Sequence, residues 1–81
     1  VVLMGGWSSE REVSLTSGAG VAEALRGNGW SRVTELDMDR DVAIRLAELK
    51  PDVVFNALHG TPGEDGSVQG MMDLMGLKYT H

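Results

Sequence analysis

Two carboxylates and a pair of glycines follow the apolar stretch at the start of the sequence. Gly5 and Gly6 come directly after residues 1–4, and Glu10 and Glu12 stand a few positions further on. A carboxylate forms charge-assisted hydrogen bonds with an amine, so these residues could bind an ammonium group. Acidic residues also stabilise a helix N-terminus through its dipole, without any ligand. Taken alone, the segment favours the second interpretation, because short motifs often match by chance.

The neighbours of Glu10 extend this first candidate site. Ser14 stands four residues after Glu10, so in a helix its hydroxyl could hydrogen-bond the Glu10 carboxylate. Arg11 is either a solvated side chain or half of an ion pair. A strand, a Gly-Gly turn and a helix also resemble the start of a dinucleotide-binding unit. The spacing is not G-x-G-x-x-G, however, and carboxylates stand where a pyrophosphate needs bare N–H groups.

A second candidate site surrounds His59, which follows an apolar run and precedes Gly60. A histidine at the end of a strand can orient a carbonyl, stabilise a forming anion or move a proton near neutral pH. It can equally be held by backbone contacts without chemical work, and both interpretations stay open. Gly60, Gly63 and Gly66 indicate positive-φ turns or close approach of a ligand to the backbone. Asp65 is expected to cap the helix that follows.

The pattern predicts alternating strands and helices that position these residues. Strands are expected at 1–4, 30–36, 53–57 and 77–80, and the run at 53–57 is the most apolar. The first helix begins near Ser9 and carries an apolar stripe of Leu15, Ala19, Ala22 and Leu25. The second, with Asp39 or Asp41 as its cap, ends before Pro51, and the third ends at Gly76.

The predicted order is βαβαβαβ, which implies an α/β fold of Rossmann-like, three-layer type with a parallel sheet. In such sheets ligands bind beyond the carboxyl ends of the strands. The segments 5–14 and 58–66 both leave carboxyl ends. We therefore expect the side chains of the two candidate sites to open on one edge of the sheet, within reach of one ligand.

Composition limits the alternatives. The chain has 81 residues, enough for one small domain, and 42% of them are hydrophobic. Its 12 acidic and 7 basic residues give a net charge of -5, which argues against nucleic acid or an anionic membrane as the main partner. There is no cysteine, and no acidic cluster has metal-ligand spacing. Both ends look cut, so we expect 1–81 to be a segment of a longer protein.

Three segments together resemble the D-alanine–D-alanine ligases. They are 3–15 (LMGGWSSEREVSL), 57–70 (ALHGTPGEDGSVQG) and 76–80 (GLKYT). The resemblance runs across the whole chain and implies that 1–81 is the N-terminal domain, of pre-ATP-grasp type. Trp7 departs from the smaller or polar residue usual at its position, so it is expected to cover the site or pack on a neighbour. The alternatives are a dinucleotide-binding module or the N-terminal domain of another ATP-grasp enzyme.

The resemblance implies an ATP-dependent ligase that joins two D-alanines for peptidoglycan precursor synthesis in the cytoplasm. Glu10 would hold the ammonium of the first D-alanine, with Val13, Ser14 and Gly60 in the same subsite. His59 would lie near the reacting carboxyl group and help to position it and move a proton. ATP and Mg²⁺ would be bound by domains absent from this chain. The full-length protein is expected to form a homodimer, and this segment alone to be inactive.

Overall fold

The structure is a computed structural model that describes residues 1–60 and 66–80. Its elements alternate along the chain in the order β1 (Val2–Gly5), α1 (Arg11–Gly27), β2 (Glu35–Met38), α2 (Val42–Leu49), β3 (Phe55–Asn56) and α3 (Ser67–Met75). Among the described residues the strands form one sheet in the order β2-β1-β3, and both pairings are parallel. The predicted α/β fold with a parallel sheet is confirmed.

The central strand is β1, and it is buried on both faces of the sheet. Val2 and Met4 join a cluster with Ala22 on the α1 side. Leu3 points to the opposite face, where the larger cluster gathers side chains from α2 and α3. This arrangement makes three layers, with one helix on one face and two on the other. It also places the end of β1 at the middle of the carboxyl edge.

Helix α1 packs closely on β1, and three of the four residues predicted for its buried face lie there, Ala19 being the exception. The buried residues of α1 are Ser14, Gly18 and Ala22, which recur every four residues, whereas Ala19 is exposed. A Cβ on Gly18 would lie 2.6 Å from the Cβ of Met4, closer than side-chain atoms can approach. Small residues therefore form the closest contact, while Leu15 and Leu25 of the predicted stripe are partly buried and pack against the same cluster as Ala22.

Two strands also differ from the prediction. The second strand is Glu35–Met38 rather than 30–36, and along it Leu36 and Met38 are buried while Glu35 and Asp37 are exposed. The third strand covers only Phe55–Asn56 of the expected 53–57. Beyond it, the expected fourth strand makes a single parallel bridge between Val54 and Tyr79.

The helix ends follow local chemistry. Asp41 stands at the N-cap position of α2 without a side-chain cap bond, and the Asp39 carboxylate instead accepts a hydrogen bond from the Asp41 N–H at 2.9 Å. Lys50, with φ of 48°, closes α2 before the proline. Gly66 occupies the N-cap position of α3, and the predicted capping residue Asp65 lies outside the described residues. Gly76 ends α3 with a φ of 72°, as predicted.

Candidate functional site

The candidate site lies where β1 and β3 end side by side. We call residues 6–10, between β1 and α1, the first loop, and residues 57–60, after β3, the second loop. Ser8 joins the two: its hydroxyl donates to the His59 carbonyl at 2.8 Å and accepts a hydrogen bond from the Glu10 N–H at 3.1 Å. The predicted meeting of the two loops on one edge is therefore present in the structure.

Ser14 forms a second link between the ends of the two strands. Its buried hydroxyl accepts a hydrogen bond from the Gly5 N–H at 2.9 Å and donates to the Ala57 carbonyl at 2.7 Å. The ladder between β1 and β3 includes a bond from the Ala57 N–H to the Leu3 carbonyl, so Gly5 and Ala57 are the next groups in line. The hydroxyl replaces the direct bond where the strands begin to separate.

This use of Ser14 corrects the expected hydrogen bond from Ser14 to the Glu10 carboxylate. The Ser14 hydroxyl is committed to the two strand ends, and it is the Ser14 N–H that bonds Glu10, through the Glu10 carbonyl at 3.0 Å. The i to i+4 spacing brings the residues together as helical geometry requires. The backbone groups at the strand ends, the buried Gly5 N–H and the partly buried Ala57 carbonyl, decide where the hydroxyl points.

Glu10 stands at the N-cap position of α1, and its side chain makes no cap hydrogen bond. Its carboxylate lies over the second loop, because a Cβ added to Gly60 would be 3.0 Å from Glu10 Oε2 and 2.9 Å from Ser8 Oγ. Gly60 has a φ of 71°, a conformation that favours glycine. The exposed carboxylate is thus held beside the backbone that follows His59.

The His59 side chain is partly buried and packs toward α1. Its Nε2 atom lies 3.3 Å from the Ser17 hydroxyl, and which atom donates depends on the histidine tautomer. Ser17 was not predicted as part of the site. The available signal was its position three residues after Ser14, which puts both serines on one side of the helix.

Arg11 forms an ion pair with Asp37 at the carboxyl end of β2. Both terminal nitrogens of the Arg11 guanidinium take part, with Nη1 donating to Oδ1 at 2.7 Å and Nη2 donating to Oδ2 at 2.6 Å. The hydrogen bond from Arg11 holds the pKa of Asp37 below its usual value, and the same bond raises the pKa of Arg11. Of the two alternatives for Arg11, the structure has the ion pair. Its partner was not predicted, because only the parallel register brings Asp37 beside Met4.

Two further residues border the site. Val13 lies in the first turn of α1 and is 53% exposed, so its side chain is open to contacts outside this domain. Trp7 is 47% exposed, and the Arg40 guanidinium carbon lies 4.6 Å from the centre of its ring. This is cation–π geometry. Of the two expectations for Trp7, packing on a neighbour is present.

Neither a metal site nor a membrane-spanning helix is present in the part of the chain that the structure describes. Among residues 1–60 and 66–80, no group of three or more histidine and acidic side chains is placed to hold a metal ion. These residues therefore do not form an Mg²⁺ site. In the same part of the chain, no helix has the length and apolar character needed to cross a bilayer.

Fold and site together define the class of protein. It is a parallel α/β domain with an exposed carboxylate and an imidazole brought to one carboxyl edge by two loops, where such folds bind their ligands. The family model described as "D-ala D-ala ligase N-terminus" matches residues 31–81. The chain belongs to this family. The match decides against the dinucleotide-binding alternative.

Individual relatives agree with the family match. The chain is 82% identical over 80 residues to the D-alanine--D-alanine ligase of Rhizorhabdus wittichii, covering 99% of this chain and 25% of that protein. It is 78% identical to the ligase of the same name from Novosphingobium aromaticivorans, with the same two coverages, 99% and 25%. The chain therefore spans about a quarter of the length of these curated relatives.

A solved structure shows the same fold. The D-alanine--D-alanine ligase from Bacillus anthracis, crystallised in complex with ATP, superposes with a TM-score of 0.80 and 33% sequence identity. The match covers 98% of this chain and 27% of the Bacillus protein.

Proposed function

We propose that residues 1–81 form the N-terminal, substrate-binding domain of a D-alanine–D-alanine ligase. The full-length enzyme would use ATP to join two D-alanines for peptidoglycan precursor synthesis. The observation that carries the proposal is the convergence of Glu10 and the second loop, tied by Ser8 at the carboxyl edge of a domain of this family. The names of the relatives and the ATP-bound neighbour support the reaction and the nucleotide.

In this proposal Glu10 binds the ammonium group of the first D-alanine. Its carboxylate is exposed and makes no cap hydrogen bond to the helix, so its oxygens can accept charge-assisted bonds from an amine. The neighbouring helix N-terminus cannot serve the ammonium, because its N–H groups are donors. Glu10 therefore recognises the substrate, and the bond-forming step takes place at the carboxyl group of the same D-alanine.

His59 is proposed to lie near that reacting carboxyl group, where it positions the group and moves a proton. A bond at Nε2 to the Ser17 hydroxyl restricts the ring orientation, which is what a positioning role requires. Gly60 lets the backbone pass under the Glu10 carboxylate, and Val13 lines the subsite from α1. Ser14 contributes by joining the strand ends that carry both loops.

The rest of the enzyme would supply the remaining machinery. We propose that ATP and Mg²⁺ would be bound by ATP-grasp and central domains outside residues 1–81. We also propose that the full-length protein is a cytoplasmic homodimer and that this domain alone is inactive. Neither nucleic acid nor a membrane surface is proposed as a partner of a chain with net charge -5.

The test is Glu10→Gln in the full-length ligase, measured as the KM for D-alanine at the first subsite. Hydrogen bonds to charged groups contribute about 1.5–3 kcal/mol, so the KM should rise by about 10- to 150-fold. The matched control is Glu12→Gln, which removes the same charge from the first turn of α1. If the KM of Glu10→Gln stays near wild type, or if both variants change it equally, the ammonium-binding role is wrong.

A further inference from the structure

We propose that the Arg11–Asp37 ion pair is a positioning device that holds the first loop in the geometry Glu10 needs. Its effect on activity rests on the proposed role of Glu10. Its effect on the loop does not, and can be measured separately. Neither residue touches the substrate in this proposal, so both act through the backbone of the first loop.

The Arg11 guanidinium joins three parts of the carboxyl edge. Arg11 is the first residue of α1, and both terminal nitrogens of its guanidinium donate to the Asp37 carboxylate of β2. Its Nη1 also donates to the Gly6 carbonyl at 3.0 Å. A bidentate guanidinium–carboxylate pair fixes orientation as well as distance, which a single contact does not. The start of the helix is therefore fixed against both the glycine turn and the neighbouring strand.

The glycine turn is shaped around this pair. Gly5 and Gly6 have φ values of 81° and 83°, in the region that favours glycine. A Cβ on Gly5 would meet the Asp37 carboxylate and would lie 2.8 Å from Arg11 Nη1. The pair thus occupies the space that a side chain at position 5 would fill, and it lies directly against the turn that leads to Glu10.

Glu10 is consequently held from both sides along the chain. Before it, Ser8 is bonded to the carbonyl of His59 in the second loop. After it, Arg11 is bonded to β2. Exposed ion pairs add little to the free energy of unfolding, and this pair is 41% and 52% exposed. Its larger consequence is therefore the placement of the residue between the two attachments.

The same helix and strand provide a matched control pair. Arg26, in the last turn of α1, bonds the Glu35 carboxylate of β2 at 3.1 Å and the Val33 carbonyl at 3.1 Å. The side chains of this pair are 49% and 38% exposed. It joins the same two elements as Arg11 and Asp37 with similar exposure, but at the opposite edge of the sheet. A purely structural role predicts equal effects of breaking either pair.

The experiment compares Arg11→Met with Arg26→Met in the full-length ligase. For Arg11→Met we expect faster amide exchange across residues 8–14, and a KM for the first D-alanine raised about tenfold, with the KM for ATP unchanged. Arg26→Met should change neither the exchange of that segment nor either KM. Arg11→Lys keeps the charge but loses the bidentate contact, so its KM for the first D-alanine should lie between those of wild type and Arg11→Met.

Several results would overturn the inference. Equal amide exchange across residues 8–14 in Arg11→Met and Arg26→Met refutes it. An equal rise of the D-alanine KM and the ATP KM in Arg11→Met also refutes it, because that result indicates general destabilisation. If Arg11→Met does not fold, Asp37→Asn and its control Glu35→Gln make the same comparison. If Glu10→Gln leaves the D-alanine KM unchanged, the proposed function fails, while the exchange data still decide whether the ion pair holds the loop.

Discussion

Replacing Ser14 by alanine removes a buried hydroxyl that joins the ends of β1 and β3. Ser14 is completely buried, and its oxygen serves the Gly5 N–H at 2.9 Å and the Ala57 carbonyl at 2.7 Å. In Ser14→Ala both backbone groups lose their partner. In the unsubstituted protein the Ser14 oxygen occupies the space between these two groups, so they cannot bond each other in the variant without movement of the strands.

The expected cost follows from the two orphaned groups. A buried polar group without a partner costs about 1–3 kcal/mol. The Gly5 N–H is buried and the Ala57 carbonyl is only partly buried, so the two groups together should lower the free energy of unfolding by about 2–4 kcal/mol. A domain of this size has a total stability of about 5–10 kcal/mol, so the loss is a large fraction of it. The methyl group of alanine itself fits the site, since it is smaller than the side chain it replaces.

The assay is equilibrium urea unfolding of the chain followed by far-UV circular dichroism, together with amide exchange at Gly5. The matched control is Thr16→Ala on the same helix, whose exposed hydroxyl donates only within α1, to the Glu12 carbonyl at 3.1 Å. It should change stability by less than about 0.5 kcal/mol. A Ser14→Ala cost below about 1 kcal/mol, with unchanged exchange at Gly5, would refute this account of how the two strand ends are joined.

Three further predictions follow from local geometry. Gly18→Ala should lower the free energy of unfolding by about 1–3 kcal/mol, because its Cβ would lie 2.6 Å from the Met4 side chain of β1. In the control Gly20→Ala the added Cβ meets nothing within 4 Å, so this variant should be stabilised by up to about 1 kcal/mol. Urea unfolding measures both. Gly60→Ala and Gly29→Ala share the left-handed backbone strain, yet only Gly60→Ala should raise the D-alanine KM of the full-length ligase; equal KM values would contradict this. The hydrogen bond from Arg11 lowers the pKa of Asp37 in the folded protein. The Asp37 carboxylate therefore stabilises the fold above the unfolded-state pKa near 3.8, and this stabilisation is lost as the pH falls through the lower folded-state pKa. Because the pair is exposed, urea unfolding of Asp37→Asn should show only a small deficit in the free energy of unfolding at pH 7, and this deficit should disappear at low pH. A deficit independent of pH would contradict the assignment.

Local sequence patterns determined much of this protein. The apolar run before Gly5, the glycine at position 76 and Pro51 after α2 place the elements, because backbone sterics act within a few residues. Alternating strands and helices then imply a parallel sheet, and that sheet implies a ligand edge. The charge of Glu10 suits an ammonium ligand but equally suits a helix N-terminus without one, and the long motifs around Glu10 and His59 indicated the family.

Only the tertiary structure decided which partners the side chains at that edge have. Ser14 could have bonded Glu10 by spacing alone, but the separating ends of β1 and β3 take its hydroxyl. Arg11 finds Asp37, 26 residues away, through the parallel register of two strands. Such contacts depend on where whole elements pack, and packing follows long-range burial rather than local preference. The sequence determined which chemical groups reach this edge of the sheet, and the fold determined which of them carry structure and which stay open to a ligand.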